Sequence, residues 1–388
     1  MLNRRAFLGS AAAVPFFSLP AQSYAAMSAG HRTLVMIELK GGNDGLNTLV
    51  QAFDQNYYRL RPTISIARDQ LSMLNEGLGL HPSLKPLMPL WNNSRMAVLQ
   101  GVGYPAPNLS HFRSIEIWDG ATSSEEYATE GWITKTLRLN PISSRVLADG
   151  VTFGSNDPGP LLASSRHLVL QRADSKISSG MMGDHAIRKD SAGALSHIRG
   201  VDSESGKTSS ILTTARLPDV RGQYPAGAFG SGMKEAAKLV IAAQRGDIPH
   251  VPVIRVVLSS FDTHQNQLGT HAGLLKQLGE GVAAFWSDIE AAGAGLKVLA
   301  MTYSEFGRRP KENGSGGTDH GTAGVQFIWG DGIHAGFHGQ PLDLAALDAG
   351  GNPKYQIDFR SVYAGVLEEW FGVSAKPVVG DVRRLGLF

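Results

Sequence analysis

VIRVVLSSFDTHQNQLGTHAGLLKQLGEGVAAFWSDIEAAGAGLKVLAMT, residues 253–302, decides the reading of the fold. It opens with Val253–Leu258, a β-branched and aliphatic run interrupted only by Arg255, of the kind expected for a strand covered on both faces. Leu268, Leu274, Leu275, Leu278, Val282, Phe285 and Ile289 then recur at helical spacing, up to a small-residue breaker at 291–295. Residues 298–302 are a second buried strand. Strand, long helix and strand predict a crossover unit of a parallel sheet, right-handed as such units are.

Outward from that unit, the same signature recurs. Residues 34–39 run into Lys40, Gly41, Gly42, Asn43, Asp44 and Gly45, and residues 96–102 run into Tyr104–Pro105–Ala106–Pro107–Asn108–Leu109–Ser110–His111. Val253–Leu258 leads to Asp262–Thr263–His264, and residues 298–302 lead to Ser304, Glu305, Phe306, Gly307 and Arg308. The expected fold class is α/β, a three-layer sandwich with a mainly parallel central sheet and helices on both faces. Open sheets of this type take ligands beyond the carboxyl ends of their strands, and the chemically capable residues sit at those ends. Helical periodicity also marks residues 112–118 and 233–245, while 173–232 reads as a Ser/Gly-rich excursion, partly helical, over the site or mobile.

Composition narrows the classes. Forty-six glycines imply many tight loops, and the absence of cysteine excludes disulfides and thiolate metal sites. The first residues, MLNRRAFL, place Arg4 and Arg5 before an apolar run over 11–19 and small residues at Ser23, Ala25 and Ala26. This is the order of a secretory leader, and the paired arginines specify the twin-arginine version. The run falls short of the roughly 20 residues that span a bilayer. Residues 1–25 are therefore expected to be a twin-arginine signal peptide, 26–388 a single domain, and the destination the periplasm or the exterior. The chain has 36 Lys and Arg against 34 Asp and Glu; without Arg4 and Arg5 it balances at 34 against 34. No basic footprint for nucleic acid remains.

The candidate site residues are chemically mixed. Asp319–His320, framed by Gly317 and Gly321, can aim an oxygen and an imidazole nitrogen at one metal ion or at two neighbouring ones; the alternative is an ordinary turn. In Asp262–Thr263–His264, alternate residues of an extended segment point the same way, so carboxylate and imidazole can converge. Asp44 lies in a Gly-rich turn beside Asn43, either as a ligand or as a structural residue. Ser110, followed by His111, opens a predicted helix, as a nucleophile or as an N-cap. Arg308 is a candidate oxyanion clamp, with Glu305 before it. Three carboxylates and two histidines expected at one sheet edge are the inventory of a two-metal oxygen/nitrogen site.

The runs LKGGNDGLNT, SHF, FDTHQNQ, SEFGRR, TDHG and DFR occur in one order along the chain. Together they resemble an uncharacterised family of twin-arginine-exported bacterial proteins, a domain of unknown function grouped with the alkaline phosphatase and sulfatase superfamily. The resemblance covers residues 34–370 and implies an alkaline phosphatase-like sandwich. It also implies that Asp44 bridges metals, that Ser110 is the nucleophile, that Asp262 and His264 ligate one ion, and that Asp319 and His320 ligate the second. The last histidine ligand of that pattern has no matched counterpart; His334 and His338 lie in a suitable region. Residues 110–113, SHFR, do not match the Cys/Ser-x-Pro-x-Arg of sulfatases, and no Gly-x-Ser-x-Gly elbow appears.

The expected function is an exported hydrolase of phosphate-type esters, ahead of sulfate esters, that uses one or two divalent ions, Zn or Mn. Its expected partners are an anionic ester and the twin-arginine translocation machinery. The rival expectation is a non-catalytic exported protein that keeps the fold, with or without one structural metal, and serves a partner protein or a cell-surface assembly.

Overall fold

A computed structural model describes residues 31–141, 146–170, 211 and 215–388. The expected leader and most of the 173–232 excursion lie outside the described residues. In chain order the strands are β1 (Thr33–Leu39), β2 (Leu49–Gln51), β3 (Ser72–Met73), β4 (Leu78–Leu80), β5 (Met96–Gly103), β6 (Gly150–Phe153), β7 (His167–Val169), β8 (Val253–Leu258), β9 (Val298–Tyr303), β10 (Gly307–Glu312), β11 (Thr318–Gly321), β12 (Gly324–Gly330), β13 (Gly336–His338) and β14 (Ile357–Asp358).

Nine of them form one sheet in the order β13-β5-β12-β9-β1-β8-β6-β7, with β14 also on β5. Every pairing is parallel except those of β12, which runs antiparallel to both β5 and β9. The expected strands at 34–39, 96–102, 253–258 and 298–302 are β1, β5, β8 and β9. The crossover unit differs in one respect. β8 and β9 do not pair with each other, because β1 lies between them and the helix Gln267–Ala291 bridges across it.

The layers follow from the two-residue period of a strand. Val35, Ile37 and Leu39 pack with Leu275, Leu278, Val282 and Phe285 of the long helix and with Met233 and Ala237 of the helix Ala228–Arg245. Leu34 and Met36 face the other side, where Ile117, Trp118, Trp132, Phe359 and Tyr363 close a second core. Burying one such side chain contributes about 1.5–3 kcal/mol, and truncating Phe285 to Ala would cost about 3–5 kcal/mol. Both faces of the sheet are therefore covered, which is why its strands read as largely apolar runs.

Below the carboxyl edge, one polar cluster interrupts the second core. Arg255 Nε donates to Glu38 Oε2 at 3.1 Å, both side chains being fully buried, and Tyr303 Oη donates to the same oxygen at 3.3 Å. Removing either member of such a pair strands a buried charge. The hairpin β10–β11 hangs on the carboxyl edge. TDHG, expected as a loop, is a strand there: Arg308 pairs with His320 and Gly307 with Gly321. Among the described residues, no helix is long and apolar enough to cross a membrane.

Candidate metal centre

Three segments are pressed together at the carboxyl edge, and two glycines permit it. Gly41 has φ +119°, and a Cβ there would lie 2.4 Å from the amide nitrogen of Asp262. A Cβ on Gly317 would lie 2.2 Å from the carbonyl carbon of His264. The loop after β1 can thus bond the loop after β8, with Phe261 N–H donating to Lys40 O at 3.0 Å. The hairpin folds over the same loop, with Thr318 N–H donating to Thr263 O at 3.2 Å. The helix His111–Gly120 delivers His111 from the other side.

The result is a convergence on one oxygen. Asp262 Oδ1 lies 3.0 Å from His264 Nε2, 3.3 Å from His320 Nε2, 3.4 Å from His111 Nε2 and 2.7 Å from Arg308 Nη2. His264 Nε2 and His320 Nε2 are 2.9 Å apart. The ring of Phe306 backs the group, with centroids 4.8 Å from His111 and 4.4 Å from His320.

The outer nitrogens settle which way these rings are set. His111 Nδ1 lies 2.9 Å from Glu305 Oε1, His320 Nδ1 lies 2.7 Å from Leu109 O, and His264 Nδ1 lies 3.5 Å from Asp319 Oδ1. All three neighbours are acceptors. With Nδ1 of each ring given to an outer acceptor, Nε2 is the atom each ring presents to the Asp262 carboxylate, and a metal ion there would take its lone pair. Glu305 is itself held: it is buried, and its two oxygens accept from the Gly41 N–H at 2.9 and 3.1 Å.

The same neighbours set the electrostatics of the cluster. Burial acts to raise the Asp262 carboxyl, but the hydrogen bond and charge of Arg308, with His111 and His264, outweigh it and hold its pKa at about 2. The Glu305 hydrogen bond pushes His111 above its usual range, against burial, while burial pulls His320 below it.

These donors fit a metal ion. His111 Nε2 is buried and has no hydrogen-bond partner in the protein. Tetrahedral bonds of 2.0–2.1 Å imply donor separations of about 3.3 Å, close to those found around Asp262. Among the described residues, His111, Asp262 and His320 are the group whose donor atoms all lie within 4.8 Å of one another, and His264 adds a fourth donor. Imidazole mixed with carboxylate suits Zn or Mn better than Ca.

Other expected residues take different places. Asp44 is fully buried; Arg61 Nη1 reaches its Oδ2 at 2.6 Å and Nη2 its Oδ1 at 3.0 Å, while Gln267 and the amides of Leu46 and Asn47 bond it too. Burial opposes ionisation there, yet Arg61 keeps the carboxyl below its usual range. In this structure Asp44 is thus engaged as an internal ion pair and helix cap, apart from the donors around Asp262. Arg308 is buried and donates to Gly41 O, Gly42 O, Phe261 O, Thr318 O and Asp262, so its guanidinium is already engaged and holds Asp262 in place. Asp319 stands behind His264 and does not reach the centre. His338 Nε2 bonds His334 O at 2.7 Å on β13, apart from the cluster. His111, whose sequence signal was its place beside Ser110, joins the cluster around Asp262, and His338 does not. Asn43 is buried and bonds Thr48 and His271. Ser110 occupies the N-cap position, but its hydroxyl makes no cap bond and the residue is exposed.

The chain belongs to the protein family of unknown function DUF1501, whose model matches residues 100–378. No curated protein matches the sequence. Among solved structures, the chain is similar to a protein of the alkaline phosphatase superfamily from Vibrio parahaemolyticus, at 9% identity and a TM-score of 0.42, covering 90% of this chain and 69% of that one. It is also similar to the lipoteichoic acid synthase LtaP from Listeria monocytogenes, at 10% identity and a TM-score of 0.37, covering 81% and 67%. A third is the C-terminal periplasmic domain of EcEptC from Escherichia coli, in complex with Zn, at 9% identity and a TM-score of 0.34, covering 78% and 73%. All three overlap this chain loosely, and the chemistry of the site is read from its own geometry.

Proposed function

We propose that this DUF1501 member is an exported metal-dependent hydrolase of phosphate-type esters, with Ser110 as nucleophile. The observation that carries the reading is the convergence of three imidazole Nε2 atoms and the Asp262 carboxylate at an open sheet edge, next to a serine whose hydroxyl has no structural duty. His111, His264, His320 and Asp262 would hold a single Zn or Mn ion. Such an ion supplies Lewis-acid stabilisation of the charge that develops on an ester oxygen.

The chain's own groups do the rest. Ser110 stands at the N-terminus of a ten-residue helix, where unpaired amides and the helix dipole favour an anionic group. Attack of its oxygen on phosphorus displaces the alcohol, and water then frees the serine. Glu305 and Asp319 hold the rings of His111 and His264 from behind. Export through the paired arginines Arg4 and Arg5, to the periplasm or beyond, completes the reading.

A second reading, a non-catalytic exported metal protein, is favoured by one observation. Arg308, the cation that an anionic ester would need, is buried and bonded to carbonyls and Asp262. Turnover on a panel of phosphate mono- and diesters separates the two. The hydrolase reading expects metal-dependent turnover that disappears in Ser110→Ala and His320→Ala. Wild-type protein that binds metal and hydrolyses nothing on a broad panel supports the second reading.

A further inference from the structure

Behind the Phe306 ring lies a small cavity of about 10 Å³, independent of the metal-binding donors. Asn43, Trp118, Ser304, Phe306 and Gln326 contribute to its wall. Asn43, Trp118 and Gln326 are each 2% exposed. Four of their polar atoms find no partner in the protein: Asn43 Nδ2, Trp118 Nε1 and both ends of the Gln326 amide. Leaving buried polar atoms unpaired is costly, and native proteins rarely do it. Here the three residues that carry four such atoms line one cavity.

We infer that this cavity is a binding site for one structural water molecule, which cross-links the loop after β1, the helix His111–Gly120 and strand β12. Size supports the choice, since a single water needs about 10–15 Å³ and two to four polar partners. Charge supports it as well: no ionised side chain lines the wall, so neither a cation nor an anion would be compensated. The donors and acceptor also match. Trp118 Nε1 can only donate, and the Asn43 amide offers Nδ2, because its Oδ1 bonds Thr48 Oγ1 at 3.1 Å and His271 Nε2 at 2.9 Å. Water accepts from both and donates to Gln326 Oε1, pairing three of the four atoms. Ser304 is already satisfied, donating to Leu39 O at 2.7 Å and accepting from the Asn43 N–H at 3.0 Å. The water thereby braces the three elements around Phe306, the ring against His111 and His320.

Gln326→Leu tests the inference because the dry and hydrated alternatives predict opposite signs. In a dry cavity the change removes two unpaired polar atoms and raises the melting temperature. In a hydrated one it takes away the water's acceptor, strands Asn43 and Trp118, and lowers the melting temperature by a few degrees. Because the variant can fail to fold for unrelated reasons, a high-resolution crystal structure of the wild-type protein is the second arm. An ordered peak within hydrogen-bond distance of Asn43 Nδ2, Trp118 Nε1 and Gln326 supports the site. A stabilised variant, or wild-type density with no such peak, overturns it.

Discussion

His111 Nδ1 lies 2.9 Å from Glu305 Oε1, and the same carboxylate accepts the Gly41 N–H. One buried acid thus joins a ring from the helix His111–Gly120 to the loop after β1. It fixes the His111 tautomer and lifts the ring's basicity. The consequence is measurable. Glu305→Ala should weaken metal binding about 10–100-fold, in keeping with the loss of such outer partners. Glu305→Gln, which keeps a hydrogen-bonding oxygen, should weaken it less. Titration with Zn is the check, and equal affinities in all three proteins would remove Glu305 from the site.

Asp44 and His320 should behave as opposites. His320→Ala should lose the bound metal, measured by elemental analysis after gentle purification, with little change in the apo-protein's stability. Asp44→Asn should keep the metal while costing about 3–5 kcal/mol, because Arg61 then carries an uncompensated buried charge. Metal lost from Asp44→Asn while the fold stays intact would restore the bridging role.

Ser110→Ala should leave the melting temperature almost unchanged. A working N-cap is worth about 1 kcal/mol, and the Ser110 hydroxyl makes no cap bond. A stable, metal-loaded variant without esterase activity, beside an active parent, assigns the nucleophile. A destabilised variant with full activity assigns a cap instead.

Acid should destabilise the fold between pH 6.5 and 4. Burial lowers His81, His167, His250 and His271 to about 4. Each stays neutral when folded but takes up a proton near pH 6.5 when unfolded. Across that window the unfolded state binds more protons, so stability is present above 6.5 and is lost as the pH falls. His111 works in the other direction: its raised pKa stabilises the metal-free fold at low pH, and that contribution fades as the pH rises. Asp119, raised by burial, acts in the same direction as His111, while His320 is lowered with the other four histidines, so two groups stand against five. Melting curves should drop steadily below pH 6.5, and His271→Gln should make the acid limb shallower by about one proton. A melting temperature that climbs on acidification through the window contradicts this account.

Replacing Arg4 and Arg5 together with Lys should hold the protein in the cytoplasm. The motive is the paired arginine ahead of an apolar run shorter than a bilayer span. Unchanged export in cell fractions defeats the twin-arginine reading.

Local chemistry alone made much of this protein legible. The runs that became β1, β5, β8 and β9 are mostly apolar because both faces of the sheet are covered, with Glu38, Gln100, Arg255 and Thr302 buried among them, and six of the seven apolar positions of 268–289 (all but the exposed Leu268) show a helical period because one face of that helix meets the sheet. The reactive residues follow strand ends because a parallel sheet brings those ends to one edge. Tertiary structure decided which of them meet. His111 joins Asp262, His264 and His320 only because the β5 edge and the hairpin β10–β11 close on the loop after β8, a contact between segments that carry no shared pattern. Asp44 turns away because Arg61, seventeen residues on, reaches back into the same buried space with a guanidinium shaped for a carboxylate. Residue type and spacing state what a side chain can bind. Which partner arrives first depends on distances across the fold, and those exist only once the chain is packed.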